Sequence, residues 1–417
     1  MKTMLTTLAV AALIAGVLTA APPRAEATTV PGGAFASLGA EAKPVASVTD
    51  AAGNLFVLNE GDATVSKITP SGVVTRVFAA LGGGVSPQAM TIDPRGFLYI
   101  ACGATDSVTR VSPSGLATAY WAYDGRGSMP RAITSDTAGN VFVANWGTST
   151  VTRITAAGVV SPTFARLDPA DHPLGLSVDS GGTVFVADTQ TDRISAVSSR
   201  GRVTEMFAAL PTGSQPVAVA VDPWRSVYSA NAVGTVSKFG ADGRMLTAAL
   251  PALPGPHRPT TLLLDPYGDL FIGDEHVGAV TAVDAAGLAA VPRAGFDAGA
   301  GAVALIRAMA LSGSSLYAID YVTGQVQRAE LAPSITSGSF GGPVERGSPV
   351  SLDIGMGGYL PQVILSVGSL PDGLRLDEHT GHLSGIPSTL GTTGFDLLVV
   401  NHWGATVPRH EVISVVP

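Results

Sequence analysis

Asp274-Glu275-His276 sets two carboxylates beside an imidazole, and His257-Arg258 and Asp171-His172 add further imidazoles, a guanidinium and another carboxylate. Imidazole titrates near neutral pH, and a carboxylate can take a proton or ligate a cation. Brought to one place, these groups could run acid–base chemistry or bind a divalent ion. His257, Glu275 and His276 are the candidate catalytic residues. Trp146 and Tyr321 could stack on a sugar or a peptide. The candidate ligand-binding set is then Trp146, His172, Asp188, Arg258, Asp274, Glu275, His276 and Tyr321. The competing reading is a solvated polar rim. No fixed ligand spacing links these residues, so no metal site is assigned and no cofactor is expected, with a divalent cation as the alternative. The sequence has no G-x-S-x-G elbow, H-E-x-x-H, P-loop or C-x-x-C pair. Cys102, the one cysteine, has no basic neighbour in sequence and reads as a small space-filler. His379 and His382 form H-x-x-H beside Asp377, but they fall in a turn that Asp377 and Thr380-Gly381 shape.

What could bring distant residues together is a repeat. Pro44, Pro87, Pro130, Pro173, Pro216 and Pro259 stand 43 residues apart, and each is followed six residues later by Asp. Every copy has four short β-type segments separated by turn residues. An aromatic recurs in the second segment at Phe56, Tyr99, Phe142, Phe185, Tyr228, Phe271 and Tyr317, and a second column runs through Phe78, Trp121, Phe164 and Phe207. Four strands per unit with Gly and Pro punctuation predict a β-propeller. The last copy lacks a fourth strand, and Phe35-Ala-Ser-Leu-Gly39 matches Phe78-Ala-Ala-Leu-Gly82 at the repeat interval. An N-terminal strand therefore closes the ring, which gives seven blades, with six as the alternative. Loops between second and third strands, and between blades, share one face. That face collects Asn59, Cys102, Asn145, Asp188, Asn231, Asp274 and Asp320, read as turn-capping residues of the repeat rather than as a ligand ring.

Pro173-Leu-Gly-Leu-Ser-Val-Asp179, Gly182-Thr-Val-Phe-Val-Ala-Asp188 and Asp192-Arg-Ile194 resemble NHL repeats, over about residues 28–331. The repeats are also similar to seven-bladed streptogramin lyase-type propellers. That resemblance implies a His, a Glu and a magnesium ion, for which His257, Glu275 and His276 are the stand-ins, without that family's motif around them. After residue 331 the frame stops. Leu370-Pro-Asp-Gly-Leu-Arg-Leu-Asp377, Leu383-Ser-Gly-Ile-Pro387 and Gly394-Phe-Asp-Leu-Leu-Val-Val-Asn401 resemble a bacterial Ig-like domain over residues 332–417, which implies a small β-sandwich acting as spacer or adhesion module. The fold class expected is all-β throughout.

Lys2, the apolar run Leu5 to Leu18, and Ala25-Glu26-Ala27 have the layout of a signal peptide cleaved after Ala27. Residues 1–27 are the expected leader, and the mature chain is expected to be secreted, extracellular or in the cell envelope, without membrane insertion, and monomeric. With 24 basic against 32 acidic residues and no basic run, nucleic acid is excluded as a partner. Two functions are expected from different classes. The first is a non-catalytic module that engages an extracellular protein, peptide or glycan. The second is a lyase or lactonase-like enzyme with its site near His257 and Asp274 to His276.

Overall fold

The structure is a computed structural model that describes residues 34–250, 257–276, 278–283, 289–295, 305–339, 342–359 and 362–417. The leader expected at 1–27 lies outside the described residues. Tertiary contacts divide the chain into two compact units, one ending at Arg328 and one beginning at Ala329.

The first unit is a seven-bladed propeller: seven four-stranded antiparallel sheets, six of them built from consecutive strands. Blade 1 comprises Pro44–Thr49, Leu55–Asn59, Thr64–Ile68 and Val74–Ala80. Blades 2 to 6 begin with Pro87–Ile92, Pro130–Ser135, Pro173–Val178, Pro216–Val221 and Pro259–Leu264. The Asp six residues after each proline makes the first turn. Asp50 Oδ1 accepts the N–H groups of Ala52 and Asn54 at 3.0 and 2.8 Å, and Asp179 Oδ1 accepts those of Gly181 and Thr183 at 2.9 and 2.8 Å. A short side chain that caps the backbone this way specifies the turn locally, so the device recurs without help from the rest of the fold.

The seventh blade is composite. Ile306–Ser312, Ser315–Asp320 and Gln325–Glu330 pair in order, and Ala36–Ser37 from the start of the chain adds the outer strand, with Ala36 opposite Val326. The aromatic columns explain why this segment goes there. Phe56 meets Phe78, Tyr99 meets Trp121 and Phe185 meets Phe207 with centroids 5.1–5.2 Å apart. Phe35 and Tyr317 complete the same pair at 5.6 Å in the closing blade. The added strand also covers the edge of Gln325–Glu330.

The first strand of each blade lies next to its neighbours around the axis, tied by contacts such as Ser135 Oγ to Ile92 O at 2.8 Å and Thr260 Oγ1 to Ile306 O at 3.1 Å. One residue after the start of each first strand the register to the second strand slips, between Pro44 and Ala46 in blade 1 and between Ile306 and Ala308 in blade 7. The bulged residue is turned out of the pleat, a common way to re-aim one side chain.

The second unit is built on two larger sheets. Val344–Glu345, Arg409–Val416, Gly391–Asn401 and Val363–Val367 form one, with Gly404–Ala405 attached, and Val350–Asp353, His382–Gly385 and Leu374–Leu376 form the other. Ile364, Phe395, Leu397 and Ile413 from the first sheet and Leu374 and Leu383 from the second share one buried core. The alternation of Phe395, Leu397 and Val399 is what turns these three side chains into that core. Asp377 Oδ1 caps the turn through the His379 and Thr380 N–H groups, at 2.9 and 3.0 Å, and the His382 ring is held by Asp353 at 2.6 Å. Among the described residues no helix is long and apolar enough to cross a membrane.

Candidate functional site

The loops after the second strands and those between blades are joined at one face by a recurring backbone bond. Glu60 N–H donates to Lys43 O, Gly103 to Ser86, Trp146 to Met129, Ala232 to Gln215 and Glu275 to Arg258. The residues at the ends of the second strands are buried beneath these loops rather than exposed at the mouth. Asp320 caps its turn as expected, accepting the Val322 and Thr323 N–H groups at 2.9 and 3.3 Å, whereas the Asn side chains turn elsewhere. Asn59 Nδ2 donates to Thr64 Oγ1 and Ser66 Oγ at 2.9 and 2.8 Å. Asn145 does the same to Thr150 and Thr152, and Asn231 to Thr235 and Ser237. In these blades the amide crosses to the third strand, because two hydroxyls spaced two apart sit on the same face of that strand. Cys102 occupies this slot in blade 2 and is buried, with Sγ 3.5 Å from Thr109 Oγ1. Burial pushes the thiol pKa up, away from the reactive thiolate.

Blade 6 departs from that pattern. Asp274 gathers N–H donors on both oxygens: His276 N to Oδ1 at 2.7 Å, and Arg258 N and His257 Nδ1 to Oδ2 at 3.0 and 2.8 Å. The His257 side chain is only 5 % exposed, and its Nε2 is buried with no hydrogen-bond partner among the described residues. A carboxylate that fixes Nδ1–H leaves Nε2 as the basic atom, the arrangement a general base requires. His276 contributes its backbone N–H, while its ring is exposed. Glu275 is clamped by two guanidiniums, with Oε1 3.3 Å from Arg258 Nη1 and Oε2 3.2 Å from Arg307 Nε. The guanidinium of Arg307 lies 4.3 Å from the centre of the Tyr321 ring, and Tyr321 Oη donates to Glu60 Oε2 at 3.4 Å. The candidates His257, Arg258, Asp274, Glu275 and Tyr321 thus belong to one constellation at the junction of blades 6, 7 and 1.

The remaining candidates lie elsewhere on the ring. Trp146 and His172 contact each other, with ring centroids 4.6 Å apart and His172 Nδ1 2.9 Å from Trp146 O. Trp146 and Tyr321 are both half-buried, each with one partner already against its ring. Asp188 is fully buried in blade 4, with Oδ2 2.5 Å from Ser195 Oγ. Beside it Asp171 pairs with Arg193 at 2.8 Å. Burial first, and then the charge of Asp171, push the Asp188 pKa up to about 8, which hydrogen bonding to Ser195 offsets only in part.

Two residues of these clusters escape a reading of the sequence. Arg193 stands where Thr64, Ser107 and Thr150 stand in other blades, a departure visible in the repeat frame. Arg307 opens the degenerate seventh copy, where no proline marks the frame.

The magnesium ion implied by the streptogramin lyase resemblance does not fit these groups as they stand. Magnesium demands several hard oxygen ligands. Both Glu275 oxygens are committed to guanidiniums and both Asp274 oxygens to N–H donors. His257 Nε2, which has no hydrogen-bond partner among the described residues, is a nitrogen rather than a hard oxygen donor.

Residues 28–283, more than half of the chain, match the model of the Virginiamycin B lyase family. The chain belongs to that family. Among solved structures, selenomethionine-substituted virginiamycin B lyase from Staphylococcus aureus is 15% identical, covers 69% of this chain and 94% of its own, and superposes with a TM-score of 0.61. A catalytically inactive histidine-to-alanine variant of that lyase with Quinupristin is also 15% identical, with coverage of 69% and 95% and a TM-score of 0.62. A streptogramin B lyase structure is 12% identical, with coverage of 70% and 95% and a TM-score of 0.62. At these identities the likeness is one of fold. No curated protein sequence matches the chain.

Proposed function

We propose that this member of the virginiamycin B lyase family is itself a lyase-type enzyme, with His257 as the base and Asp274 as its orienting carboxylate. The observation that carries the reading is the buried His257–Asp274 pair at 2.8 Å, with Nε2 left without a hydrogen-bond partner among the described residues. In an elimination, Nε2 takes a proton from a carbon next to a carbonyl. The C–H electron pair becomes a carbon–carbon double bond as the bond from the adjacent carbon to an ester oxygen breaks, and that oxygen leaves as carboxylate. One solved relative, a histidine-to-alanine variant of virginiamycin B lyase that is catalytically inactive, supports an essential imidazole in the family. We rank this reading above a non-catalytic role in engaging an extracellular protein, peptide or glycan. A solvated histidine would serve binding as well, whereas a buried imidazole held by a carboxylate serves proton transfer. A leader at 1–27, a propeller at 28–331 and an Ig-like spacer at 332–417 would put such an enzyme outside the cytoplasm.

Incubation of the mature protein with quinupristin, followed by mass spectrometry and ultraviolet absorbance, tests the reaction class. Elimination within a ring opens it with no gain of mass and creates a conjugated double bond. Hydrolysis of lactonase type adds a water and creates no such bond. Hydrolysis would replace the lyase reading, and loss of neither bond over a long incubation with a panel of cyclic esters would overturn it.

A further inference from the structure

We propose that Arg307 is the electrophilic group of this site, receiving the carbonyl oxygen of the substrate in place of a metal ion. The inference rests on the lyase reading and names the group that would stabilise the charge which His257 generates.

Arg307 is the bulged residue of its blade, the one turned out of the pleat between Ile306 and Ala308. Bulged residues of other blades have other fates. Gln88 and Arg131 satisfy each other at 2.6 Å, Thr260 bonds Ile306 O, and Val45, Leu174 and Val217 are apolar. Among the described residues Arg307 is held on two sides only. Its Nε is fixed to Glu275 Oε2 and its plane is stacked on Tyr321, which is in turn anchored to Glu60. Both terminal amino groups lie outside that clamp, on a side chain 37 % exposed. A planar fork restrained at Nε and on one face presents two parallel donors at little entropic cost. Such donors strengthen as a carbonyl oxygen acquires charge, and removal of one typically costs about 10²–10³ in rate. The carboxylates that could hold a cation are consumed in building this arrangement: Glu275 positions the arginine, and Asp274 positions the histidine.

Oxalate is a planar, doubly oxygenated probe for a guanidinium fork, and its binding is read without turnover. Isothermal titration of the mature protein in EDTA should detect oxalate binding. Arg307→Gln, and Arg307→Lys, which keeps charge but loses the fork, should weaken it by about tenfold or more. Tyr321→Leu should weaken it by loosening the clamp, with the guanidinium intact. Near-ultraviolet circular dichroism of each variant reports that the blade is folded. His257→Ala should leave oxalate affinity within about twofold, so that failure of the lyase reading and failure of this one separate. No binding to the parent protein in EDTA, binding that needs added magnesium chloride, or equal binding by folded Arg307 variants would each overturn the proposal.

Discussion

Blades 4 and 6 carry a carboxylate at the same place, the last residue of the second strand, yet give it opposite work. Asp274 in blade 6 receives three N–H donors and holds the His257 ring. Asp188 in blade 4 has a hydroxyl at 2.5 Å, while the nearby cation Arg193 is engaged by Asp171 at 2.8 Å and stays 3.9 Å away. Two substitutions in the repeat frame account for the contrast. Asp171 stands where blade 6 has His257, and Arg193 stands where blade 6 has Ala279. A carboxylate rich in donors is held in one orientation and can orient an imidazole. One buried beside a like charge takes up a proton and becomes part of the scaffold. Blade 4 therefore has its own guanidinium beside the carboxylate, and blade 6 has Ala279 at the corresponding point.

Removing the base breaks the comparison most sharply. His257→Ala should lower kcat/KM for quinupristin by about 10²–10⁴. Asp274→Asn, which preserves shape but no longer selects the Nδ1–H tautomer, should approach the same loss. Equal rates in parent and variants would return blade 6 to the status of blade 4. The next largest effect belongs to blade 4. Arg193→Ala would leave Asp171 charged and buried, with the Thr191 hydroxyl at 2.6 Å and the Asp168 N–H at 3.0 Å as its remaining donors. A loss of about 3–5 kcal/mol is expected from such a break, measured as a lowered propeller transition in calorimetry with catalytic activity per folded molecule unchanged. A small shift would show that Asp171 simply takes up a proton.

Much of this was legible before any coordinates. The prolines, the capping Asp six residues later and the paired aromatic columns are local or strictly periodic, so they specify blades and even the Phe35 strand that completes the seventh. The Asn column illustrates what periodicity hides. It marks a structural position correctly, but the partners are third-strand hydroxyls rather than turn amides, a choice made by side-chain direction across the sheet. Departures from the repeat pointed to His257, Asp274 and Glu275. Arg307 and Glu60 were out of reach, because their meeting depends on ring closure between the ends of the unit and on a bulge in a blade without the proline marker. Asp124 is a further case. It takes the slot of Leu81, Leu167 and Leu210, and burial first, then the charge of Asp106, raises its pKa to about 7, which Thr152 offsets only in part.

The finest distinction between the blades is the proton on Asp188. Ser66, Thr152 and Ser237 each receive an amide N–H from the Asn of their blade and pass their own proton to a fourth-strand carbonyl, of Arg76, Pro162 and Ala248. Ser195 likewise donates to Glu205 O at 2.9 Å. A hydroxyl has one proton, so Ser195 can give it either to Glu205 O or to Asp188 Oδ2 at 2.5 Å, and a protonated Asp188 ends that competition by supplying a proton of its own. Asp188 then serves as a neutral donor in the place of an amide, consistent with its raised pKa of about 8. The folded state keeps this proton up to about pH 8, while an unfolded Asp releases it near pH 4. More protons are bound in the native state throughout that window, so stability falls as pH rises through it, by up to about 1.4 kcal/mol per pH unit, and levels off above. Asp188→Asn should abolish this component. The variant should match the parent near pH 4, exceed it increasingly toward pH 8, and leave the blade 6 chemistry untouched. A pH–stability profile parallel to that of the parent would mean that Asp188 is ionised in the fold, and the two blades would then differ only in what their carboxylates hold.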